Sequence, residues 1–141
     1  MPTTENHILK QLPLEATIYW MLKKEFPGVK AVHFPAAGTV GMISVISMKQ
    51  AYECEARNVI ATMMGSRRNK ITIVVDDDVD IYDMEKVLWA IATRTQADED
   101  VVIFPRLVAT AMDPSVRKLR VGSSLGVDAT KPFGQPFPEI V

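Results

Sequence analysis

The sequence predicts an α/β fold in which helices form layers on a mixed, partly parallel sheet of about four or five strands, a layered α/β/α arrangement. Short β-branched runs alternate along the chain with longer segments of helical periodicity. The first two runs are joined by a connection so short that it favours an antiparallel pair. The later apolar runs are separated by helices, as in a parallel sheet.

Length and composition are those of one globular domain. The chain has 141 residues, of which 48% are hydrophobic and 23% charged. The net charge of −1 gives no broad attraction to nucleic acid or anionic membranes. Cys54 is the single cysteine, so neither an internal disulfide nor a cysteine-based zinc site can form. The amino terminus lacks the apolar core of a signal peptide, and we expect a soluble, cytoplasmic protein.

The pattern divides the chain into a linker or arm (1–12), a single α/β domain (13–131) and an extended tail (132–141). Pro13 suits the first turn of a helix, and Pro27-Gly28 ends it. Five residues on the core-facing side of this helix share helical spacing: Leu14, Ile18, Met21, Leu22 and Phe26.

Two strands and a second helix follow. The strands are predicted at Val29–Phe34 and Val40–Ser47. The helix is predicted from about Lys49 to Met64, with Gly65 as its carboxyl-terminal stop. Its buried face is expected to comprise Tyr52, Ala56, Val59, Ile60 and Met63.

The segment Ile71–Arg94 is the most informative part of the chain. An apolar strand, Ile71–Val75, ends in three consecutive aspartates, and a helix with Asp80 as its N-cap and Asp83 in its first turn is expected next. The core-facing positions of this helix follow i, i+3, i+4, i+7 spacing: Met84, Val87, Leu88 and Ile91.

The carboxyl-terminal part is less regular. A fourth strand is expected at Val101–Phe104, ended by Pro105. Beyond Pro114 the pattern fades, and the glycines of 122–126 indicate a turn.

Asp76, Asp77 and Asp78 allow two interpretations. Open α/β sheets place ligands at the carboxyl ends of their strands, and several carboxylate oxygens suit a divalent cation. Alternatively, the carboxylates face the free N–H groups of the next helix. The nearby sequence offers only further acids as ligands, which favours capping. A phosphoacceptor receiver domain is disfavoured, because its acid pair should follow the first strand.

Other polar residues form no recognisable catalytic set. His7 and His33 lack a nearby partner of the Ser–His–Asp type. Arg67, Arg68 and Lys70 are expected on a solvated loop. Trp20 and Trp89 lie off the centres of their apolar helix faces, where they either widen the core or meet a second subunit.

The quoted segments resemble a known family. ITIVVDDDVDIYDMEKVLWAIATR, followed by DEDVVIFP and GVDATKP, is similar to the C-terminal domain of the UbiD-type decarboxylases. The upstream stretches LEATIYWMLKKEFPGVKAVHFPAAG and VGMISVISMKQAYECEARNVIATMMG fit that domain in order and spacing. The resemblance covers about residues 8–131.

The resemblance implies reversible, non-oxidative decarboxylation of aromatic or α,β-unsaturated carboxylic acids. In that family prenylated FMN, a divalent cation and potassium are held by a preceding flavin-binding domain, which also carries the catalytic residues. No catalytic, cofactor-binding or metal residue is therefore assigned to this chain. We expect the chain to be inactive alone, whether it is a natural small subunit or part of a longer protein.

The family's C-terminal domain packs over the flavin domain and mediates dimerisation, so a flavin-binding partner and a homodimer are expected. It also supplies apolar residues to the substrate cleft. The matching segment is the loop Arg106–Asp113, with four apolar candidates for the lip of that cleft: Leu107, Val108, Ala111 and Met112.

Two alternatives remain open at this point. One is a self-associating binding module without catalytic duty. The other is a divalent-metal-binding signalling domain built on Asp76–Asp78.

Overall fold

A computed structural model describes residues 5–38, 41–65 and 69–138, with side chains from residue 12 onward. A short 3-10 turn spans Ala36–Gly38. The elements in chain order are α1 (Glu5–Glu25), β1 (Val29–His33), β2 (Ile43–Met48), α2 (Glu55–Met64), β3 (Ile71–Asp76), α3 (Met84–Arg94), α4 (Ala97–Asp100), β4 (Val101–Val108) and β5 (Val121–Ala129).

The described strands form one five-stranded mixed sheet in the order β1-β2-β3-β5-β4. The three central strands, β2, β3 and β5, run parallel. The outer strands β1 and β4 each pair antiparallel with their neighbours, β2 and β5. The predicted α/β class and the antiparallel pairing of the first two strands are confirmed.

The core has two layers, one against each group of helices. One cluster joins α1 and α2 to the sheet and centres on Leu22, Ile46 and Ile60. The other joins α3 and its preceding loop to the sheet and includes Val75, Ile81 and Val87. Alternate residues of β2, such as Val45 and Ile46, belong to different clusters, as the two-residue period of a strand requires.

The first helix is longer than predicted. It begins at Glu5, and Pro13 lies inside it, so the interpretation of 5–12 as an arm is wrong; residues 1–4 lie outside the described part. Leu22 and Phe26 are buried as expected, whereas Met21 is exposed and faces a groove beside α2.

The second helix begins later than predicted, at Glu55 instead of Lys49. The Gln50 side chain accepts a hydrogen bond from Ala56 N (3.1 Å) and donates one to Thr130 Oγ1 (3.1 Å). These bonds hold the preceding segment in a non-helical path, and Cys54 enters the helix in the left-handed region at φ 68°. Tyr52 is consequently exposed, while the other predicted face residues of α2 are buried and Gly65 caps its end.

The fourth strand does not end at Pro105 but continues to Val108. Because β4 is an edge strand, Pro105 can sit in it without breaking the sheet. A bulge between Phe104 and Leu107 shifts the register of pairing with β5, and Arg106 adopts φ 60° there.

The fifth strand, β5, was not predicted, and the turn expected at 122–126 is wrong. Its glycines serve close packing: a Cβ at residue 126 would lie 2.3 Å from Ile60 Cγ2 and 2.9 Å from Met64 Cε. Gly126 therefore lets α2 lie directly on the sheet.

None of the described helices is both long enough and apolar enough to cross a bilayer.

Candidate functional site

Four charged side chains meet at the carboxyl edge of the parallel strands. β3 ends at Asp76, and Asp78 follows in the turn. Arg94 occupies the last turn of α3, and Lys131 follows β5. The edge is therefore assembled from the ends of three elements, which places the acid segment where α/β proteins bind ligands.

The Arg94 guanidinium is the centre of this cluster. Nη1 donates to Asp76 Oδ2 (3.0 Å) and to Asp78 Oδ1 (2.9 Å), and Nη2 donates to Asp78 Oδ2 (2.9 Å). Lys131 adds its backbone N–H, which donates to Asp76 Oδ2 (2.8 Å), and its Nζ, which lies 3.4 Å from Asp78 Oδ2. The bidentate pairing of Arg94 with Asp78 is the strong geometry for an arginine and a carboxylate.

The two carboxyls respond to this environment in opposite directions. The hydrogen bonds from Arg94 hold the pKa of Asp78 below its ordinary value. Burial raises the pKa of Asp76 although Lys131 and Arg94 oppose it. The bonds to Asp78 raise the pKa of Arg94, so the guanidinium stays charged.

The surroundings of Arg94 show that the cluster is a structural clamp. Its side chain is only 5% exposed. The guanidinium carbon lies 5.0 Å from the Trp89 ring centroid and 5.9 Å from that of Phe137. Nε is buried without a hydrogen-bond partner. Three segments are thus tied together: the turn after β3, the end of α3 and the chain beyond β5.

The capping interpretation of the aspartates is wrong. Asp83 is the N-cap of α3, and its carboxylate accepts from Glu85 N at 3.1 Å. Asp80, the predicted N-cap, instead accepts from Tyr82 N within the turn (3.0 Å). Asp76 and Asp78 face the opposite end of α3, where Arg94 lies.

One further prediction fails near this edge. Leu88 is exposed, and Arg94 takes a buried place on the inner face of α3 beside Val87 and Ala90. Within the described ranges no group of three or more His, Cys, Asp or Glu side chains is arranged to hold a metal ion.

His33 is a partly buried residue of β1. Its Nδ1 lies 3.0 Å from Glu15 Oε1, and its ring lies 4.7 Å from that of Tyr82. Glu15 Oε1 also accepts from Phe34 N at 2.8 Å, so the carboxylate ties α1 to the end of β1. The His7 side chain lies outside the described residues.

The predicted lip residues are split between a strand and a loop. Leu107 and Val108 belong to β4, and Leu107 packs partly against the α1–α2 cluster. Ala111 and Met112 lie in the segment 109–120 that joins β4 to β5, hereafter the hairpin loop, and Met112 is 63% exposed. The structure thus brings Ala111 and Met112 together at the surface.

A second polar cluster, which the sequence did not indicate, lies at the base of the hairpin loop. Lys70 Nζ lies 2.8 Å from Asp113 Oδ2 and donates to Ser115 Oγ at 2.5 Å. Asp113 Oδ1 accepts from Ser115 N (2.9 Å) and Ser115 Oγ (2.7 Å). The hydrogen bond from Lys70 lowers the pKa of Asp113 to about 2. Arg67 and Arg68, predicted to share a loop with Lys70, lie outside the described residues.

A groove of about 530 Å³ runs beside this cluster. Its lining includes Lys70, Arg106 and Arg117, together with Ser115 and Ser123. Its volume lies within the usual range for small-molecule sites, about 300–1,000 Å³.

Comparison with known proteins gives the family. Residues 7–129 match the family model of the 3-octaprenyl-4-hydroxybenzoate carboxy-lyase C-terminal domain. The anhydromevalonate phosphate decarboxylase of Aeropyrum pernix is 37% identical over 130 residues, which are 92% of this chain and 30% of that protein. The phenolic acid decarboxylase of Sedimentibacter hydroxybenzoicus is 35% identical over 136 residues, 94% of this chain and 28% of that protein.

Solved structures agree. The UbiD-class enzyme HmfF from Pelotomaculum thermopropionicum, in complex with FMN, matches with a TM-score of 0.90 and 36% identity over 97% of this chain and 32% of its own. The vanillic acid decarboxylase of S. hydroxybenzoicus in open form matches with a TM-score of 0.88 and 32% identity over 100% of this chain and 31% of its own. The chain spans about a third of the length of such relatives, and it belongs to the C-terminal domain family of the UbiD-type carboxy-lyases.

Proposed function

We propose that this chain acts as the C-terminal domain of a UbiD-type decarboxylase, either as a small subunit or within a longer protein. The whole enzyme would carry out reversible, non-oxidative decarboxylation of an aromatic or α,β-unsaturated carboxylic acid. The carrying observation is the match to HmfF, which covers 97% of this chain but only 32% of an enzyme that binds FMN.

The cofactor is proposed to lie in a partner flavin domain. The described carboxylates do not form a metal cluster, and those at the carboxyl edge of the sheet are engaged by Arg94 and Lys131. These residues do not fit a divalent cation bound with prenylated FMN, and no step of the chemistry is assigned to them. An evolved dimeric form of HmfF is described in complex with prenylated FMN.

The chain's own contribution is proposed to be closure of the substrate cleft. The vanillic acid decarboxylase of S. hydroxybenzoicus is known in open and closed forms. Closing a cleft expels water and strengthens electrostatic interactions inside it. Leu107, Val108, Ala111 and Met112 are the proposed lip, with the exposed pair Ala111 and Met112 nearest the partner.

A homodimer is the proposed assembly of this domain. Several large apolar side chains are exposed in the described part, among them Trp20 (65%) and Ile103 (68%). Aromatic residues are enriched in the cores of protein–protein interfaces, and Trp20 is an exposed residue of this kind. The same observation supports a self-associating module without catalytic duty. The two hypotheses differ in whether the chain forms a complex with a flavin domain.

Reconstitution tests the proposal. The purified chain is mixed with the flavin-domain polypeptide encoded upstream of it or beside it, loaded with prenylated FMN. We expect a stable complex and turnover of an aromatic acid, whereas neither component alone should reach that rate. The Asp77→Asn variant is a matched control, since Asp77 is exposed, and should behave as the wild type.

Two results would contradict the proposal. One is stoichiometric binding of prenylated FMN by the chain alone. The other is a homodimer that forms no complex with the flavin-domain polypeptide, which would favour the self-associating module.

A further inference from the structure

We propose that Lys70 and Asp113 are a positioning pair that fixes the hairpin loop, and with it Ala111 and Met112, against the sheet. This proposal rests on the function proposed above, because the loop matters for catalysis only if it borders the substrate cleft. Neither residue would touch the substrate.

The pair joins two distant segments. Lys70 directly precedes β3, and Asp113 lies in the loop between β4 and β5. The ion pair (2.8 Å) and the bond from Lys70 Nζ to Ser115 Oγ (2.5 Å) attach the loop to the start of a central strand. The Asp113 side chain is 7% exposed, and its second oxygen is satisfied by Ser115, so the carboxylate is held in one orientation.

Within the loop Val116 is partly buried near Gly122, but the largest apolar side chains are exposed. Met112 is 63% and Leu119 is 80% exposed, although both are large and apolar. A side chain that stays in water contributes no burial energy, so these residues do not anchor the loop in this chain.

The backbone is strained at the β4 bulge that precedes the loop and at the last residue of the loop. Arg106 has φ 60° and Arg120 has φ 62°, values that non-glycine residues rarely adopt. Such conformations persist only where surrounding contacts determine them, and they cluster at ligand-binding and switch segments. Ala109 and Arg120, the first and last residues of the loop, form its neck. The Ala109 N–H donates to Arg120 O (3.1 Å), which closes the neck but does not fix the tip of the loop.

Close packing at the neck sets the direction in which the loop leaves the sheet. A Cβ at Gly122 would lie 2.8 Å from Ala109 Cβ, so the first residue of the loop rests directly on β5. The neck is therefore closely packed, and the bonds of Lys70 to Asp113 and Ser115 attach the middle of the loop to the start of β3. Breaking these bonds frees Ala111 and Met112 while leaving the neck closed.

Hydrogen exchange in the purified chain tests the attachment. Lys70→Met should accelerate exchange of the amides of residues 110–113, 115 and 116 by about tenfold. That factor corresponds to about 1.4 kcal/mol, near the low end for a hydrogen bond to a charged group. Asp113→Asn should give a similar increase, and Lys70→Arg, which keeps the charge, should restore much of the protection. Lys86→Met, at an exposed position of α3, is the control and should change nothing in the loop.

Kinetics of the assembled decarboxylase test the positioning role. We expect Lys70→Met to lower kcat/KM about tenfold, mainly through KM, with Lys70→Arg near the wild type and prenylated-FMN binding unchanged. Unchanged loop exchange in Lys70→Met and Asp113→Asn would overturn the proposal, whatever the activity. Faster loop exchange with wild-type kcat/KM would overturn it as well.

Failure of the proposed function is recognised separately. A wild-type assembly without decarboxylase activity removes that function before any variant is compared, and the positioning role falls with it. If Lys70→Met does not fold, Lys70→Gln, which removes the charge but keeps a polar side chain, takes its place under the same criteria.

Discussion

At the residue scale, the acid segment shows how a motif can be located correctly and yet be misread. Three consecutive aspartates after an apolar strand predicted a strand-to-helix junction at the carboxyl edge of the sheet, and the structure has that junction. Their partner, Arg94, lies sixteen residues beyond Asp78 and was part of the quoted family segment. Periodicity placed Leu88 in the core stripe with Met84, Val87 and Ile91. Arg94 was not expected on the inner face, because arginine is rarely found at a buried position.

The clamp gives the first prediction at this scale. Arg94→Met should lower the free energy of unfolding by about 3 kcal/mol, because it leaves Asp76 and Asp78 as neighbouring carboxylates with only Lys131 as counter-charge. The side chain of Asp78 is half exposed, which keeps the loss at the low end for a broken buried ion pair. Urea unfolding at pH 7 measures it.

Asp77→Asn is the matched control for that experiment. Asp77 is exposed and neighbours both carboxylates, so its replacement should change the free energy of unfolding by less than about 0.5 kcal/mol. An equal loss in both variants would mean that Arg94 is not the centre of the clamp.

At the element scale, local pattern predicted strands β1, β2 and β3 and most of the buried face of α2, and it failed where tertiary contacts decide. The start of α2 depends on Gln50, whose side chain reaches Thr130, a residue far along the chain. β5 was not recognised because its glycines suggested a turn, whereas Gly126 is required by the helix α2 that lies on it and Gly122 by the close approach of Ala109. The lip was predicted as one loop, but β4 continues past Pro105 because an edge strand tolerates proline.

Gly126 provides the prediction for this scale. Gly126→Ala should lower the free energy of unfolding by about 3 kcal/mol, because the new methyl group would overlap Ile60 Cγ2 at 2.3 Å and force α2 off the sheet. The double variant Gly126→Ala with Ile60→Ala should lose less than the sum of the single variants, since the smaller residue removes the clash. Additive losses would contradict this packing.

Gly65→Ala is the control for the effect of replacing a glycine by alanine without a steric clash. Gly65 ends α2 at φ −70°, and a Cβ there would meet only ordinary contacts. Its replacement should be nearly neutral, within about 0.5 kcal/mol, when thermal unfolding of Gly126→Ala, Ile60→Ala, the double variant and Gly65→Ala is compared.

At the scale of the whole molecule, the two polar clusters on the sheet have different roles. The Arg94 clamp fastens the carboxyl edge of the parallel strands, and the Lys70–Asp113 pair fastens the loop that follows β4. HmfF, which this chain matches over 97% of its length, is about three times as long as this chain. Under the proposed function the clamp stabilises this domain and the loop faces the flavin-domain partner.

The carboxyl groups with shifted pKa values predict how the whole chain responds to acid. Burial raises the pKa values of Asp76 and Asp128, so the folded state binds protons more readily than the unfolded state above about pH 4, and acidification toward that pH increases stability. Arg94 lowers the pKa of Asp78, and Lys70 lowers that of Asp113 to about 2. Their stabilisation is complete above the unfolded value near 3.9 and is lost as the pH falls toward 2.

Acid stability should therefore peak near pH 4 and fall between pH 4 and pH 2. Lys70→Met removes the contribution of Asp113, at most about 2 kcal/mol because Lys70 is one-third exposed and screened by solvent. The difference in unfolding free energy between wild type and variant should be constant at pH 5–7 and vanish near pH 2. Urea unfolding at half-unit pH steps measures both curves, and a difference that persists unchanged at pH 2 would show that Asp113 does not carry this stabilisation.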